Sequence, residues 1–313
     1  MNGDSYIKST GFFKSSNGIS DIKYYIYTPK VKPIAAMQIV HGMCEFVERY
    51  EEFIEFLCQN GIAVFGNDHI GHGSSVKTND DLGYFFTPSG WKDMIADTRK
   101  MLLLGKERFC ELPIIMFGHS MGSFVARACM VKFPKLIDCV ILSGTGSGIP
   151  AATASLALVE SLIKVKGERH RSDTIWNIAF GKFNSHISMP RTQSDWLTRD
   201  KDKVREFISD IKCVTIFTLN GMLNLTKLMT YVNQDRWYEN VDKEIPVLMM
   251  SGTEDPVGDW GEGVMTVYEN LKKKGANVAL KLYDDCRHEL TNELNRQDVY
   301  SDVLTALKKT LEI

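Results

Sequence analysis

Residues 114–122 read Ile114-Ile115-Met116-Phe117-Gly118-His119-Ser120-Met121-Gly122, and a helix-compatible stretch follows to Lys132. A short apolar run, a G-x-S-x-G turn and a helix are the parts of a nucleophile elbow, in which a serine is lifted on a strained turn at the end of a strand. Ser120 is therefore the first candidate nucleophile. A non-glycine residue held at positive φ costs about 1–3 kcal/mol and fits only where its surroundings have no bulk to clash with strand or helix. Gly118 and Gly122 stand two residues before and two after it.

Around this stretch the chain alternates strands and helices. Strands are expected at 35–40, 62–66, 114–117, 137–143, 245–250 and 278–283, with helices near 47–59, 91–109, 121–132, 261–274 and 298–309. Apolar strands separated by helices predict an α/β architecture, a mostly parallel sheet covered on both faces. A hairpin about Asn17-Gly18 opens the chain with an antiparallel pair. After the strand ending at Ser143, the run Gly144-Thr145-Gly146-Ser147-Gly148 leads to Ile149-Pro150. It lacks the G-x-x-x-x-G-K phosphate-binding pattern and is taken as a hinge. The alternation then stops, and helical pieces run to about Asn240. The expected organisation is a core of residues 1–146 and 241–313 with a helical cap inserted at 147–240.

The 313 residues hold 37 basic and 39 acidic side chains, which argues against nucleic acid as a partner. No apolar stretch is long enough to span a bilayer, and the polar Met1–Thr10 segment has no signal-peptide core. The seven scattered cysteines fit reduced thiols and a cytoplasmic location. No cofactor is expected, and no metal, since neither C-x-x-C nor H-E-x-x-H occurs. His69 and His72 are read as part of a tight turn in Asp68-His69-Ile70-Gly71-His72-Gly73.

A serine nucleophile needs a base and an acid to orient that base, brought together at the carboxyl ends of neighbouring strands. Asp255 follows the strand at 245–250 and His288 follows that at 278–283, giving the chain order Ser, Asp, His. Glu254, Asp284 and Asp285 compete for the acid role; Asp255 is favoured because the following Pro256 holds it extended. The oxyanion of a tetrahedral intermediate calls for two N–H donors. Met121, at the head of the helix, supplies one candidate, and Met43, in His41-Gly42-Met43-Cys44-Glu45, the other. The two methionine side chains are expected to line the pocket, and Glu45 with Arg49 to form a surface helix pair or a cap.

These segments resemble the monoacylglycerol lipase and lysophospholipase branch of the α/β-hydrolase superfamily, also grouped with the serine aminopeptidases. The resemblance rests on His41–Glu45 with Arg49-Tyr50, Asn67–Gly73, Gly118–Ser123, Gly252–Gly258 and Arg287–Glu289 with Asn292-Glu293. It implies an α/β-hydrolase fold, with Ser120 as nucleophile, Asp255 as acid, His288 as base, and Met43 and Met121 as oxyanion donors. Ile70 stands where that branch has arginine, and the cap diverges outside Ser194–Asp200. The expected activity is hydrolysis of a small-molecule acyl ester through an acyl-enzyme, with transient docking of the apolar, methionine-rich cap on membranes. The alternatives are acyl transfer, aminopeptidase action with Glu160, Glu168 or Asp173 binding the substrate ammonium, and a non-catalytic ligand-binding relative.

Overall fold

The computed structural model describes residues 5–148 and 152–312, with 152–155 described by backbone alone. Residues 1–4 of the polar amino-terminal stretch and the Ile149-Pro150 step of the expected hinge lie outside the described residues. Eight strands form one sheet: β1 (Tyr6–Lys14), β2 (Asp21–Pro29), β3 (Ala35–Val40), β4 (Ile62–Asn67), β5 (Ile114–His119), β6 (Cys139–Ser143), β7 (Val247–Gly252) and β8 (Val278–Tyr283). Their spatial order is β1-β2-β4-β3-β5-β6-β7-β8. From β4 to β8 every neighbouring pair is parallel, while β1 and β2 add an antiparallel edge. The expected hairpin is present: Gly18 has φ 71°, and Asn17 Oδ1 accepts the Ile19 and Ser20 N–H groups.

Successive residues of a strand face opposite sides of a sheet, and the alternation sorts the core into two layers. Met37, Ile39, Val64, Phe117 and Ile141 pack with Phe53 of α1 (Glu51–Gln59) and Val303 of α10 (Arg296–Leu311). Ala36, Val40, Phe65, Met116 and Leu142 pack on the other side with α2 (Gly90–Arg108), α3 (Met121–Lys132) and α9 (Glu262–Lys273). Strands β3 to β6 are buried throughout, as a parallel sheet covered on both faces requires. The helix expected from Val47 begins as a 3-10 turn at Val47–Tyr50 before α1.

Between β6 and β7 run α4 (Ala152–Lys166), α5 (Asp173–Phe180), α6 (Lys201–Ser209), α7 (Leu219–Val232) and α8 (Asp235–Glu239). Helix α7 packs against α3 and α2, and its Leu225, Leu228 and Val232 belong to the buried cluster on that side of the sheet. Arg127 of α3, wholly buried, anchors both ends of this segment. It donates to Gly146 O at 3.1 Å on one side, and to Val232 O at 2.6 Å and Asn233 Oδ1 at 2.9 Å on the other. Its guanidinium also lies 4.5 Å from the centre of the Trp237 ring.

Candidate active site

The turn from β5 into α3 carries Ser120 at φ 52° and ψ −122°, the strained geometry read from the sequence. Glycine is required on both sides. A Cβ on Gly118 would stand 2.6 Å from Gly122 O, and one on Gly122 would stand 1.9 Å from Val40 O. The turn is pinned from beneath, where the Ser120 N–H donates to Ser143 O on β6 at 2.9 Å.

Asp255 and His288 emerge from the ends of β7 and β8. His288 Nδ1 and Asp255 Oδ1 are 2.9 Å apart, with both side chains buried. The carboxylate also accepts from Val257 N at 2.9 Å and from the Ser251 hydroxyl at 3.2 Å. Burial raises the Asp255 carboxyl, but His288, the Val257 N–H and His119 together outweigh it and hold the group below the usual carboxylate range. Burial pulls the His288 imidazole down, Asp255 pulls it up, and the net shift is upward. Of the competing acids, Asp284 and Asp285 are exposed, and Asp285 sits in a positive-φ turn.

Three residues that the sequence reading did not single out surround the imidazole. The His119 and Trp196 rings lie 4.6 and 5.1 Å from the His288 ring, centre to centre. Beneath it lies Gly144, at φ 61°, where a Cβ would come within 2.8 Å of His288 Cε1. The glycine run read as a hinge thus also makes room for the imidazole. Only its positive φ and strand-end position signal this, and a strand-end glycine is common to hinges and to close approaches.

Ser120 and His288 line one cavity of about 420 Å³, with Gly42, Met43, Glu45, Phe180, Trp196 and Glu289 among its walls. A second, of about 110 Å³, shares Ser120, Met43, Phe180 and Trp196 with it and runs back between Met121, Phe124, Ile175, Met222, Leu225 and Met229. Met43 borders both and Met121 the second, as expected of their side chains. The Met121 N–H is the first amide of α3, a position that has no carbonyl partner within its own helix. Cys44, directly after Met43, is held at φ 57°.

Two expectations are corrected. Glu45 and Arg49 are not a surface pair: Glu45 is 3% exposed, and Arg49 bridges it to Glu289 inside the molecule. Glu160, Glu168 and Asp173 border neither cavity. Glu160 is exposed and pairs with Lys227, Glu168 accepts from Tyr84, and Asp173 is exposed in the first turn of α5. The turn after β4 needs no arginine at position 70, where Ile70 is buried. Asp68 holds that turn by accepting the Val47 N–H at 3.0 Å, the Ser74 N–H at 2.7 Å and the Tyr25 hydroxyl at 3.1 Å.

Comparison with known proteins places the chain in a family and agrees with the fold. The model of the family serine aminopeptidase, S33, matches residues 31–295. The chain belongs to the S33 family. Among its relatives, the monoacylglycerol lipase of Mycolicibacterium smegmatis is 23% identical over 95% of this chain and 97% of its own. The monoglyceride lipase of Rattus norvegicus is 24% identical over 86% and 80%. Among solved structures, a thermostable carboxyl esterase from Bacillus coagulans, determined with glycerol, superposes with a TM-score of 0.91 at 29% identity, covering 97% of this S33 chain and 98% of the esterase.

Proposed function

We propose that this S33-family protein is a serine hydrolase of carboxylic esters, of lipase or esterase type, working through an acyl-enzyme on Ser120. The observation that carries the reading is the buried 2.9 Å contact between His288 and Asp255 at the cavity that also exposes the strained Ser120. Similarity to monoglyceride lipases and to a carboxyl esterase supports it.

In this mechanism Asp255 fixes the His288 tautomer by accepting its Nδ1–H, leaving Nε2 free to take the Ser120 Oγ proton. Oγ attacks the ester carbonyl, and the Met43 and Met121 N–H groups receive the oxyanion. His288 then returns the proton to the departing alcohol, and a water deacylates Ser120 by the same route. The acyl chain occupies the narrow apolar cavity and the alcohol the wider one, which is walled by Asn177, Asn184 and Gln193 as well as by apolar groups. The substrate proposed is a monoacylglycerol or a similar single-chain ester. The segment at 147–240 is proposed as the cap. No described helix is long and apolar enough to cross a membrane. Exposed Leu158, Val165, Ile178 and Met189 on that segment support transient docking on lipid. Seven free cysteines, six of them buried, support a reducing, cytoplasmic setting.

Ser120→Ala is the test. Loss of p-nitrophenyl butyrate hydrolysis and of fluorophosphonate labelling is expected, and unchanged turnover would overturn the reading.

A further inference from the structure

A continuous line of polar side chains, buried except for a slightly exposed Arg49, joins the loop after β3 to the loop after β8. Glu45 Oε1 accepts the Gly42 N–H and, at 2.6 Å, the Tyr50 hydroxyl. Glu45 Oε2 accepts from Arg49 Nη1 at 3.2 Å. Arg49 then grips Glu289 with both arms, Nη1 to Oε1 at 2.9 Å and Nη2 to Oε2 at 3.1 Å, while Asn292 Nδ2 donates to the same Oε2 at 2.7 Å. Glu45 and Glu289 are 3% and 4% exposed, and Phe207 of α6 covers the guanidinium at 4.8 Å.

Two carboxylates and one guanidinium buried together carry a desolvation penalty that stability alone does not call for, since apolar side chains of similar volume serve a core at least as well. Burial raises the Glu45 carboxyl despite Arg49 nearby, whereas in Glu289 the doubly bonded Arg49, His119 and Asn292 together overcome burial and lower it. The two ends of the line indicate its use. At one end the backbone is soft, because position 42 must be glycine: a Cβ there would lie 3.0 Å from Ser120 Cβ and 2.7 Å from Glu45 Oε1. Glu45 restores that lost rigidity by holding the Gly42 amide, and so aims the next peptide, which carries the Met43 N–H. At the other end Glu289 directly follows His288, and its N–H is held by Leu197 O at 2.7 Å.

We propose that Glu45, Arg49 and Glu289 are positioning residues, a brace that fixes the Gly42–Met43 peptide and the His288 imidazole at a set separation across Ser120. This rests on the reading of Ser120, Asp255 and His288 as the catalytic triad. The brace acts chiefly on the transition state, so its loss lowers kcat by more than it changes KM, to which Glu45 and Glu289 contribute only as walls of the wider cavity. Glu45 and Glu289 both also raise the His288 imidazole.

The test is steady-state hydrolysis of p-nitrophenyl butyrate across pH by the full chain and by Glu45→Gln, Glu289→Gln, Arg49→Lys and Ser120→Ala, with circular dichroism melts alongside. Glu45→Gln and Glu289→Gln should each lower kcat by about ten- to a hundredfold, with KM changing by less than kcat does. Glu289→Gln should move the acidic limb of kcat/KM to lower pH, a shift that a purely structural role does not produce. Arg49→Lys, which keeps the charge and loses the two-armed grip, should fall between wild type and the glutamine variants. If the glutamine variants do not fold, Tyr50→Phe, which removes one bond to Glu45, should still lower kcat several-fold. Unchanged kcat in folded variants, or a rise in KM alone, overturns the brace; full activity in Ser120→Ala overturns the triad reading and the brace with it.

Discussion

Below the cavity, Ser120, Asp255 and His288 stand at the ends of β5, β7 and β8, the latter two buried, with carbonyls, amides and a strained φ fixing each one. Above it, Phe180, Phe183 and Trp196 close over the same space mainly by ring contacts of 4.8 to 5.3 Å, and their segment leaves Ile178 and Met189 in solvent. Hydrogen bonds and backbone strain specify geometry to a fraction of an ångström. Ring packing specifies shape and tolerates exchange. On the proposed mechanism the floor sets which bond breaks, and the roof sets what is held while it breaks.

Substitution in the floor should be the more severe. Ser120→Ala is expected to cost on the order of 10⁴–10⁶ in kcat, measured by ester turnover at matched fold stability. Asp255→Asn should follow at about 10⁴, because the imidazole is then held in the wrong tautomer. The pH profile reports the same pair. Protonated His288 cannot accept the Ser120 proton, and Asp255 raises the imidazole, so the acidic limb of kcat/KM should lie above the ordinary histidine value of about 6.5. Asp255→Asn removes that support and should move the limb downward in pH.

One substitution made at two places contrasts the regions directly. Gly144 has φ 61° and the His288 ring against it, whereas Gly167 in the roof has φ 85° and open space around it, with no atom within 4 Å of where a Cβ would stand. Alanine at either should lose about 1–2 kcal/mol of stability from backbone strain, read from chemical denaturation. Only Gly144→Ala should also lower kcat, by about tenfold or more. The mildest effect belongs to the roof and its neighbours. Leu225→Ala, widening the apolar cavity, should reduce the preference for octanoyl over acetyl esters by about tenfold, with acetyl turnover little changed.

The floor was legible in the sequence because its demands are local. The apolar run at 114–117, glycines at fixed offsets and an acid before proline each follow from one turn or one strand end. Strand positions followed from continuous apolar runs for the same reason. What sequence alone did not reveal depends on residues far apart in the chain. Arg49 and Glu289 are separated by 240 positions, and the i, i+4 spacing of Glu45 and Arg49 reads as a solvated helix pair until β8 brings a second carboxylate beside them. Gly144 and Trp196 belong to His288 only once the sheet order places β6 beside β7 and brings the roof down. Helices α5 and α8, of eight and five residues, are too short to announce themselves by periodicity.

Arg127 gives the two regions a common mount. The helix that begins at the Ser120 turn carries, two turns on, the side chain that bolts both feet of the roof to the core. Sequence between those feet is thereby freer to drift wherever it does not touch the site, as the turn at Trp196 and Leu197 does through His288 and Glu289. A library that recombines this stretch among relatives, keeping position 127, its carbonyl partners and the Trp196-Leu197 turn, becomes a route to new selectivities on an untouched reaction centre.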